Sequence, residues 1–294
     1  MDKTRILILL HAVLLCPYSK LIIASLASSK AITMIKNENA SCGSNIRLVV
    51  AKNYMNGSRE AGDYMAKKVR MKSEPILCAA TGNSPTGAYK VFVSEILSRN
   101  NPPEKIHLLK LDEWGGLDMD DPATCEDYLQ QKLVRPLQIP ATRYVSFQSN
   151  SRAPVAECQR VQDWLAIHGP IDLCVLGLGL NGHLGFNEPA DELIAAPHVA
   201  KLTDQSLAHS MLSTTRKYPT HGLTLGMRDI LASKSILLLV FGAGKAKQLK
   251  RLVTSGVSSR FPASFLSLHN DVQCVCDEAA AALLPQGVFQ RNKD

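Results

Sequence analysis

The stretch IDLCVLGLG at residues 171–179 decides the fold class of this chain. Residues 171–176 are apolar at all positions but one, so both faces of the predicted strand must be buried, and glycines follow directly. Strands of this kind belong to parallel sheets that helices cover on both faces. Further apolar runs predict strands at residues 47–50, 75–80, 106–111, 235–241 and 272–276.

Stretches with helical periodicity separate these strands. Residues 54–69 carry apolar side chains at helical spacing, and shorter stretches follow. The alternation predicts an α/β fold that is doubly wound, with a mostly parallel sheet and helices on both faces. No linker rich in Pro or Ser interrupts residues 40–290, so we predict a single domain over residues 37–294. The other predicted helices lie at residues 88–97, 126–134 and 155–167, after Gly244, and from Asp277 onward.

Residues 1–36 have the layout of a secretory signal peptide and are excluded from the predicted fold. Charged residues at positions 1–5 precede an apolar run at 6–15, and the small-residue stretch ASLASS lies at 24–29. The apolar run is too short for a transmembrane helix. The alternative is that translation starts at Met34 and the extension is not made.

The composition argues against a nucleic-acid partner. Only 5% of the residues are aromatic, and the net charge of +7 includes no run of Lys and Arg suited to a phosphate backbone.

The eight cysteines form no CxxC pair and no zinc-binding spacing, and several lie in apolar runs, which predicts buried free thiols. We therefore predict a cytoplasmic protein, with secretion as the alternative if residues 1–30 are a real signal peptide.

Polar residues that follow three of the predicted strands form the candidate site, because ligands of such sheets bind beyond the carboxyl ends of the strands. The turn TGNSPTG at residues 81–87 offers backbone N–H groups at the start of a helix, which suits a phosphate. The alternative is a plain strand–helix turn with hydroxyl caps. The sequence LDEWGG at residues 111–116 places Asp112 and Glu113 directly after a strand. A carboxylate there can act as a base beside a carbonyl, or belong to a solvated acidic loop.

The glycine-rich stretch LGLGLNGHLGFNEP at residues 176–189 follows the third strand and carries Asn181, His183, Asn187 and Glu188. Its glycines permit left-handed backbone conformations. A lone histidine is usually structural, but Glu188 follows five residues later and can orient and charge-stabilise the imidazole. One histidine with scattered carboxylates is a poor set of metal ligands, so we expect no metal.

The sequence LDEW at residues 111–114, together with GHLGFNEP at 182–189, resembles the glucosamine-6-phosphate isomerase/deaminase family, most closely its galactosamine-6-phosphate deaminase branch. The resemblance covers about residues 45–280. It implies a Rossmann-like α/β fold, no metal, no organic cofactor, and conversion of an amino-sugar 6-phosphate to a ketose 6-phosphate and ammonia. Supporting matches are CE at 125–126, LQQ at 129–131, DLCVLGLG at 172–179, LTLG at 223–226 and PASFL at 262–266.

The resemblance also implies a role for each candidate residue. By its position in the motif, Asp112 is the base that moves a proton between C2 and C1 of the sugar. His183 catalyses the opening of the sugar ring, assisted by Glu188 and Asn181. The residues that the resemblance assigns to the phosphate are Thr81, Gly82, Asn83 and Ser84, with Lys245 as a cationic partner.

Three features depart from the glucosamine branch of this family. Asn181 stands where that branch has an Asp, a feature that the galactosamine branch shares. Residues 203–207 lack an Arg that the family usually offers to the phosphate, and residues 190–201 lack the Ser and Arg that bind an effector in allosteric members. We therefore expect a monomer or small homo-oligomer instead of an allosteric hexamer, with a small-molecule amino-sugar phosphate as its partner and no membrane contact in the mature domain.

Two other functions stay open at this point. A 6-phosphogluconolactonase shares the fold and a GxxGH-type loop, although the FNEP sequence at residues 186–189 argues against a lactonase. A non-catalytic sugar-phosphate sensor would need a helix-turn-helix segment before the domain, and residues 1–40 are too apolar and too short for one.

Overall fold

The computed structural model describes residues 46–98 and 105–285, and these residues form ten strands. The predicted boundary near residue 36 and the signal-like extension lie outside the described residues. The strands are β1 (Ile46–Ala51), β2 (Ile76–Ala79), β3 (His107–Lys110), β4 (Asp112–Gly115), β5 (Tyr144–Val145), β6 (Leu173–Gly177), β7 (His198–Ala200), β8 (His221–Thr224), β9 (Ile236–Val240) and β10 (Val272–Asp277).

Seven of these strands form the main sheet, in the order β1–β10–β9–β6–β2–β3–β5. Every pair of neighbours in this sheet is parallel. The central strands are buried along almost their whole length, as their continuous apolar sequences predict. The predicted Rossmann-like α/β fold with a mostly parallel sheet is therefore confirmed.

Helices pack on both faces of the main sheet. Alternate residues of one strand belong to different core clusters, because successive side chains point to opposite faces. Leu77 packs with the helices at Tyr54–Val69 and Asn83–Leu97, whereas Cys78 packs with those at Pro154–His168 and Ala246–Thr254. The helices are α1 (Tyr54–Val69), α2 (Asn83–Leu97), α3 (Cys125–Leu129), α4 (Pro154–His168), α5 (Asp204–Leu207), α6 (Met227–Leu231), α7 (Ala246–Thr254) and α8 (Glu278–Ala281).

The structure differs from the predicted elements at two places next to the site. Helix α2 begins at Asn83, inside the turn predicted at residues 81–87, because Gly82 at φ +106 turns the chain and Pro85 fits the first helical turn. The segment after β3 is a strand and not an acidic loop. It forms β4, which pairs antiparallel with β8 in a second sheet of order β4–β8–β7.

Cysteines within the described residues are free and buried, as predicted, including Cys78 and Cys174, which face each other on β2 and β6. Within the same residues, no helix is both long enough and apolar enough to cross a membrane.

Candidate active site

A cavity of about 490 Å³ opens at the carboxyl ends of β2, β3, β6 and β9. This volume lies in the range of about 300–1,000 Å³ that is usual for small-molecule sites. The cavity wall contains most of the residues that the sequence singles out, while Asn181 and Glu188 lie behind His183 and outside the wall. The predicted residues on the wall are Thr81, Gly82, Asn83, Ser84, Asp112, His183 and Lys245.

Asp112 is the first residue of β4 and faces the cavity. Its Oδ1 atom is buried without a hydrogen-bond partner among the described residues. Burial raises the pKa of Asp112 to about 7, and the neighbouring Glu113 carboxylate adds to this effect, while Lys110 opposes it. A carboxyl group with a pKa near neutrality can both accept and return a proton at the pH of the cell.

The glycine-rich loop approaches Asp112 closely at Gly185. This residue has φ +57, and a Cβ atom there would lie 2.7 Å from Thr224 Oγ1 and 3.5 Å from Asp112 Oδ2. Both the conformation and the contact therefore require glycine. Since His183 lies two residues earlier, this close packing holds the imidazole and the Asp112 carboxylate on the same cavity.

A buried ion cluster lies next to Asp112. Lys110 is fully buried, and its Nζ donates to Glu113 Oε2 at 2.5 Å and to Glu126 Oε2 at 2.9 Å. Tyr144 also donates to Glu126 Oε2, at 2.9 Å. Burial alone would lower the pKa of Lys110, but the two carboxylates raise it, so the lysine stays charged. A single lysine therefore pairs with two carboxylates in this cluster.

Glu113 also ties β4 to the start of α3. Its carboxylate accepts the backbone N–H groups of Trp114 and Cys125 at 2.8 Å and of Glu126 at 2.9 Å. A carboxylate with this many charge-assisted hydrogen bonds has one conformation. Of the two adjacent carboxylates at the strand end, Glu113 is therefore a structural anchor, and Asp112 is the one that faces the cavity.

The side chains behind His183 form a carboxylate-centred network. Glu188 Oε1 lies 3.5 Å from His183 Nδ1, longer than a good hydrogen bond but close enough for electrostatic support of a protonated imidazole. Asn181 donates from Nδ2 to Glu188 Oε2 at 2.7 Å, and its Oδ1 accepts the His183 backbone N–H at 3.1 Å. Ser206 donates to Glu188 Oε1.

The charge of Glu188 is stabilised strongly by this network. Burial would raise the pKa of Glu188, but His183, Ser206 and Asn181 together lower it to about 2. Glu188 therefore remains ionised at any pH at which the protein works. Ser206 is not among the predicted site residues, and the segment at 203–207 that contains it stands out in the sequence only for lacking an Arg.

The opposite wall of the cavity has the features of an anion site. The backbone from Thr81 to Ser84 passes over the start of α2, where N–H groups lack helical partners. Lys245 also lines the cavity, and its Nζ donates to the Leu178 carbonyl at 2.6 Å. Burial lowers the pKa of Lys245, and an anion bound beside its ammonium group would raise it again.

Several cavity residues are not among the predicted site residues, although Trp114, Cys125 and Phe186 stand inside sequence motifs quoted above. Others come from the segment around α5, which the sequence does not place near the other walls. His209 and Cys125 are the chemically functional ones among them. Within the described part of the chain, no three His, Cys, Asp or Glu side chains form a group that could hold a metal ion. The other unpredicted wall residues include Trp114, Phe186, Gln205, Ser210, Met211 and Phe241.

Known proteins resemble this chain in both sequence and fold. The model of the family described as glucosamine-6-phosphate isomerases/6-phosphogluconolactonase matches residues 58–275. The chain belongs to this family. A protein of Escherichia coli (strain K12) named "Putative deaminase AgaI" is 41% identical over 223 residues, 76% of this chain and 88% of that protein. Glucosamine-6-phosphate deaminase 1 of Bacillus subtilis (strain 168) is 32% identical over 242 residues, 82% of this chain and all of that protein.

Solved structures agree with this membership. The structure of a monomeric glucosamine-6-phosphate deaminase of the NagB superfamily has a TM-score of 0.75 and 32% identity, and covers 81% of this chain and 99% of that one. The 6-phosphogluconolactonase of Trypanosoma brucei has a TM-score of 0.65 at 17% identity, over 81% of this chain and 98% of that one. At that identity the likeness shows the fold alone.

Proposed function

We propose that this chain is an amino-sugar-6-phosphate deaminase, which converts galactosamine 6-phosphate or glucosamine 6-phosphate to the ketose 6-phosphate and ammonia. The observation that carries the proposal is the set of groups on one cavity. A carboxyl group whose pKa is about 7, an imidazole with a carboxylate behind it, and an anion-binding wall all face the same space.

The phosphate of the substrate binds at the wall from Thr81 to Ser84 and at Lys245. Backbone N–H groups at the start of α2 and the Lys245 ammonium supply hydrogen bonds and opposite charge. This end of the substrate is remote from the reacting carbons, so its binding free energy serves to orient them.

His183 opens the sugar ring by exchanging protons between the anomeric hydroxyl and the ring oxygen. The imidazole must carry a proton in part of this step, and the ionised Glu188 behind it stabilises that form. Asn181 holds Glu188 and the loop backbone together and contributes no charge of its own. In this proposal Asn181 and Glu188 therefore act through His183.

Asp112 then transfers the proton that defines the reaction. Its carboxylate removes the proton from C2 of the open-chain aldehyde while the aldehyde oxygen takes up a proton, which gives an enolamine. Asp112 then returns its proton to C1, and the nitrogen releases a proton as the imine forms at C2. The resulting imine at C2 adds water and loses ammonia, which leaves the ketose 6-phosphate. With a pKa of about 7, Asp112 is present near pH 7 both as the carboxylate that removes the proton and as the acid that returns it.

Within this function we propose the galacto epimer as the better substrate. The support is Asn181, which stands where the glucosamine branch has an aspartate, together with the resemblance of the surrounding sequence to the galactosamine branch. We also propose a cytoplasmic location, which fits a phosphorylated substrate and free buried cysteines. A monomer or small homo-oligomer accords with the monomeric deaminase that shares the fold.

The second candidate is a 6-phosphogluconolactonase, since the matched family includes both activities. Sequence identity favours the deaminase, because relatives at 41% and 32% identity are named as deaminases, whereas the lactonase structure is at 17%.

The test is an assay with three substrates side by side, namely galactosamine 6-phosphate, glucosamine 6-phosphate and 6-phosphogluconolactone. We expect stoichiometric ammonia and ketose 6-phosphate from the amino sugars, with a higher kcat/KM for the galacto epimer. Lactone hydrolysis without ammonia release would overturn the proposed function. Equal or reversed kcat/KM values for the two epimers would overturn only the preference for galactosamine.

A further inference from the structure

His209 lies over the anion-binding wall although no motif points to it. It follows α5 and directly precedes a 3-10 helix at Ser210–Thr214, and its side chain lines the cavity. At Gly82, where φ is +106, a Cβ atom would lie 3.6 Å from His209 Cε1 and 3.7 Å from His209 Nε2. Asn83 Nδ2 donates to Ser210 Oγ at 3.4 Å beside it. The imidazole therefore sits directly against the loop at Gly82.

One hydrogen bond of His209 determines which of its ring nitrogens can bind a ligand. Its Nδ1 accepts the backbone N–H of Met211 at 3.2 Å, so the neutral ring carries its proton on Nε2. Nε2 is also the ring nitrogen that lies near Gly82. Burial lowers the pKa of His209, and the nearby His183 and Lys245 lower it further, which favours the neutral form of the ring.

We propose that His209 is a substrate-binding residue that donates a hydrogen bond from Nε2 to the phosphate of the substrate. This inference rests on the proposed function for the identity of the substrate and deepens it at the phosphate end. A phosphate dianion in a partly enclosed site needs several donors, and Lys245 already donates to the Leu178 carbonyl. A neutral N–H adds a donor to this site without adding another charge beside Lys245.

The competing explanation is that His209 only caps the 3-10 helix through Nδ1. Two substitutions of His209 separate the two roles, because the Asn and Gln side chains differ in length. His209→Asn keeps a short acceptor that can cap the Met211 N–H, but its amide does not extend to the position of Nε2. His209→Gln places an amide N–H about as far from the backbone as Nε2. A role limited to capping would therefore favour Asn over Gln, and the proposed role favours Gln over Asn.

The first measurement is the Kd of inorganic phosphate by titration calorimetry, which needs no assumption about the reaction. Loss of a hydrogen bond to a charged group predicts that His209→Asn weakens phosphate binding by about tenfold. His209→Gln should stay within about threefold of the wild type. His168→Phe changes a histidine at the end of α4 that does not line the cavity, so it is the control and should leave the Kd unchanged.

The second measurement compares kcat/KM for an amino-sugar 6-phosphate and for the same sugar without phosphate. The Asn variant should lose about tenfold on the phosphorylated sugar, mainly through KM, and nothing on the other. Equal losses on both sugars, an Asn variant that binds phosphate like the wild type, or a Gln variant as weak as Asn would each overturn the role of His209. If no amino sugar is deaminated but the phosphate Kd shifts as expected, the proposed function fails and the role of His209 stands.

Discussion

Replacing Asp112 by asparagine tests the central group of the site in two independent ways. Burial and the Glu113 carboxylate raise the pKa of Asp112 from its ordinary value of 3.8 to about 7. Between these two pH values the native protein holds a proton on Asp112 that the unfolded chain has released. Since the unfolded state binds fewer protons there, the stability of the wild type falls as the pH rises through this window.

The size of the effect follows from the width of the window. Between pH 5 and pH 8 the titration spans about two pKa units, and at 1.36 kcal/mol per unit the wild type loses about 3 kcal/mol of stability from this group. Asp112→Asn cannot ionise, so its free energy of unfolding gains up to that amount relative to the wild type over the same range. The figure is an upper limit because Asp112 lines an open cavity that water can enter.

The assay is urea unfolding of both proteins at pH 5 and pH 8, followed by tryptophan fluorescence. Asp63→Asn is the control, because Asp63 is exposed on α1 and away from the cavity, and it should show no gain. A difference in unfolding free energy between Asp112→Asn and the wild type that is the same at both pH values would refute the raised pKa of Asp112.

The same variant tests the catalytic role. Loss of a positioned base costs about 10²–10⁴-fold in turnover, so Asp112→Asn should lose most kcat and still bind inorganic phosphate. In the wild type, kcat/KM should decline as the pH falls below about 7, because only the ionised carboxylate accepts the C2 proton. Turnover near the wild-type rate would remove Asp112 from the role of base, whatever its pKa.

Three further outcomes are expected. Glu188→Gln should lower kcat by about 10- to 100-fold in the ammonia assay, because the charged partner of the ring-opening histidine is lost, and a near-silent change would contradict that pairing. Lys110→Met should destabilise the protein by about 3–5 kcal/mol in urea unfolding, because it leaves Glu113 and Glu126 buried without a cation, and a neutral effect would show that the cluster is not needed. A chain that starts at Met34 should fold and release ammonia at the full-length rate, and an inactive product would contradict the predicted domain boundary.

The fold class and most of the cavity wall could be predicted from the sequence. Continuous apolar runs such as residues 171–176 fit only strands with two covered faces, and this is a local property of the chain. In a parallel sheet the carboxyl ends of neighbouring strands meet at one edge. The polar residues that follow β2, β3 and β6 were therefore expected at one cavity, and Asp112 and His183 do lie there.

Other features depend on contacts between segments that are far apart in the sequence. The second sheet exists because Asp112 pairs with Thr224, whereas the sequence around Asp112 alone is also compatible with an acidic loop. Asp112 and Glu113 differ in role because Lys110 and the start of α3 bind the carboxylate of Glu113 and leave that of Asp112 facing the cavity.

Local sequence patterns account for the residue types at the strand ends, since apolar runs and glycine-rich turns act over a few residues. The pKa values of those groups, and the other residues that surround them, depend on the folded chain. A pKa depends on burial and on charges within a few ångströms, and His209 reaches the loop at Gly82 across more than a hundred residues of chain. Such distances are set by the packing of the whole sheet, and no local pattern records them.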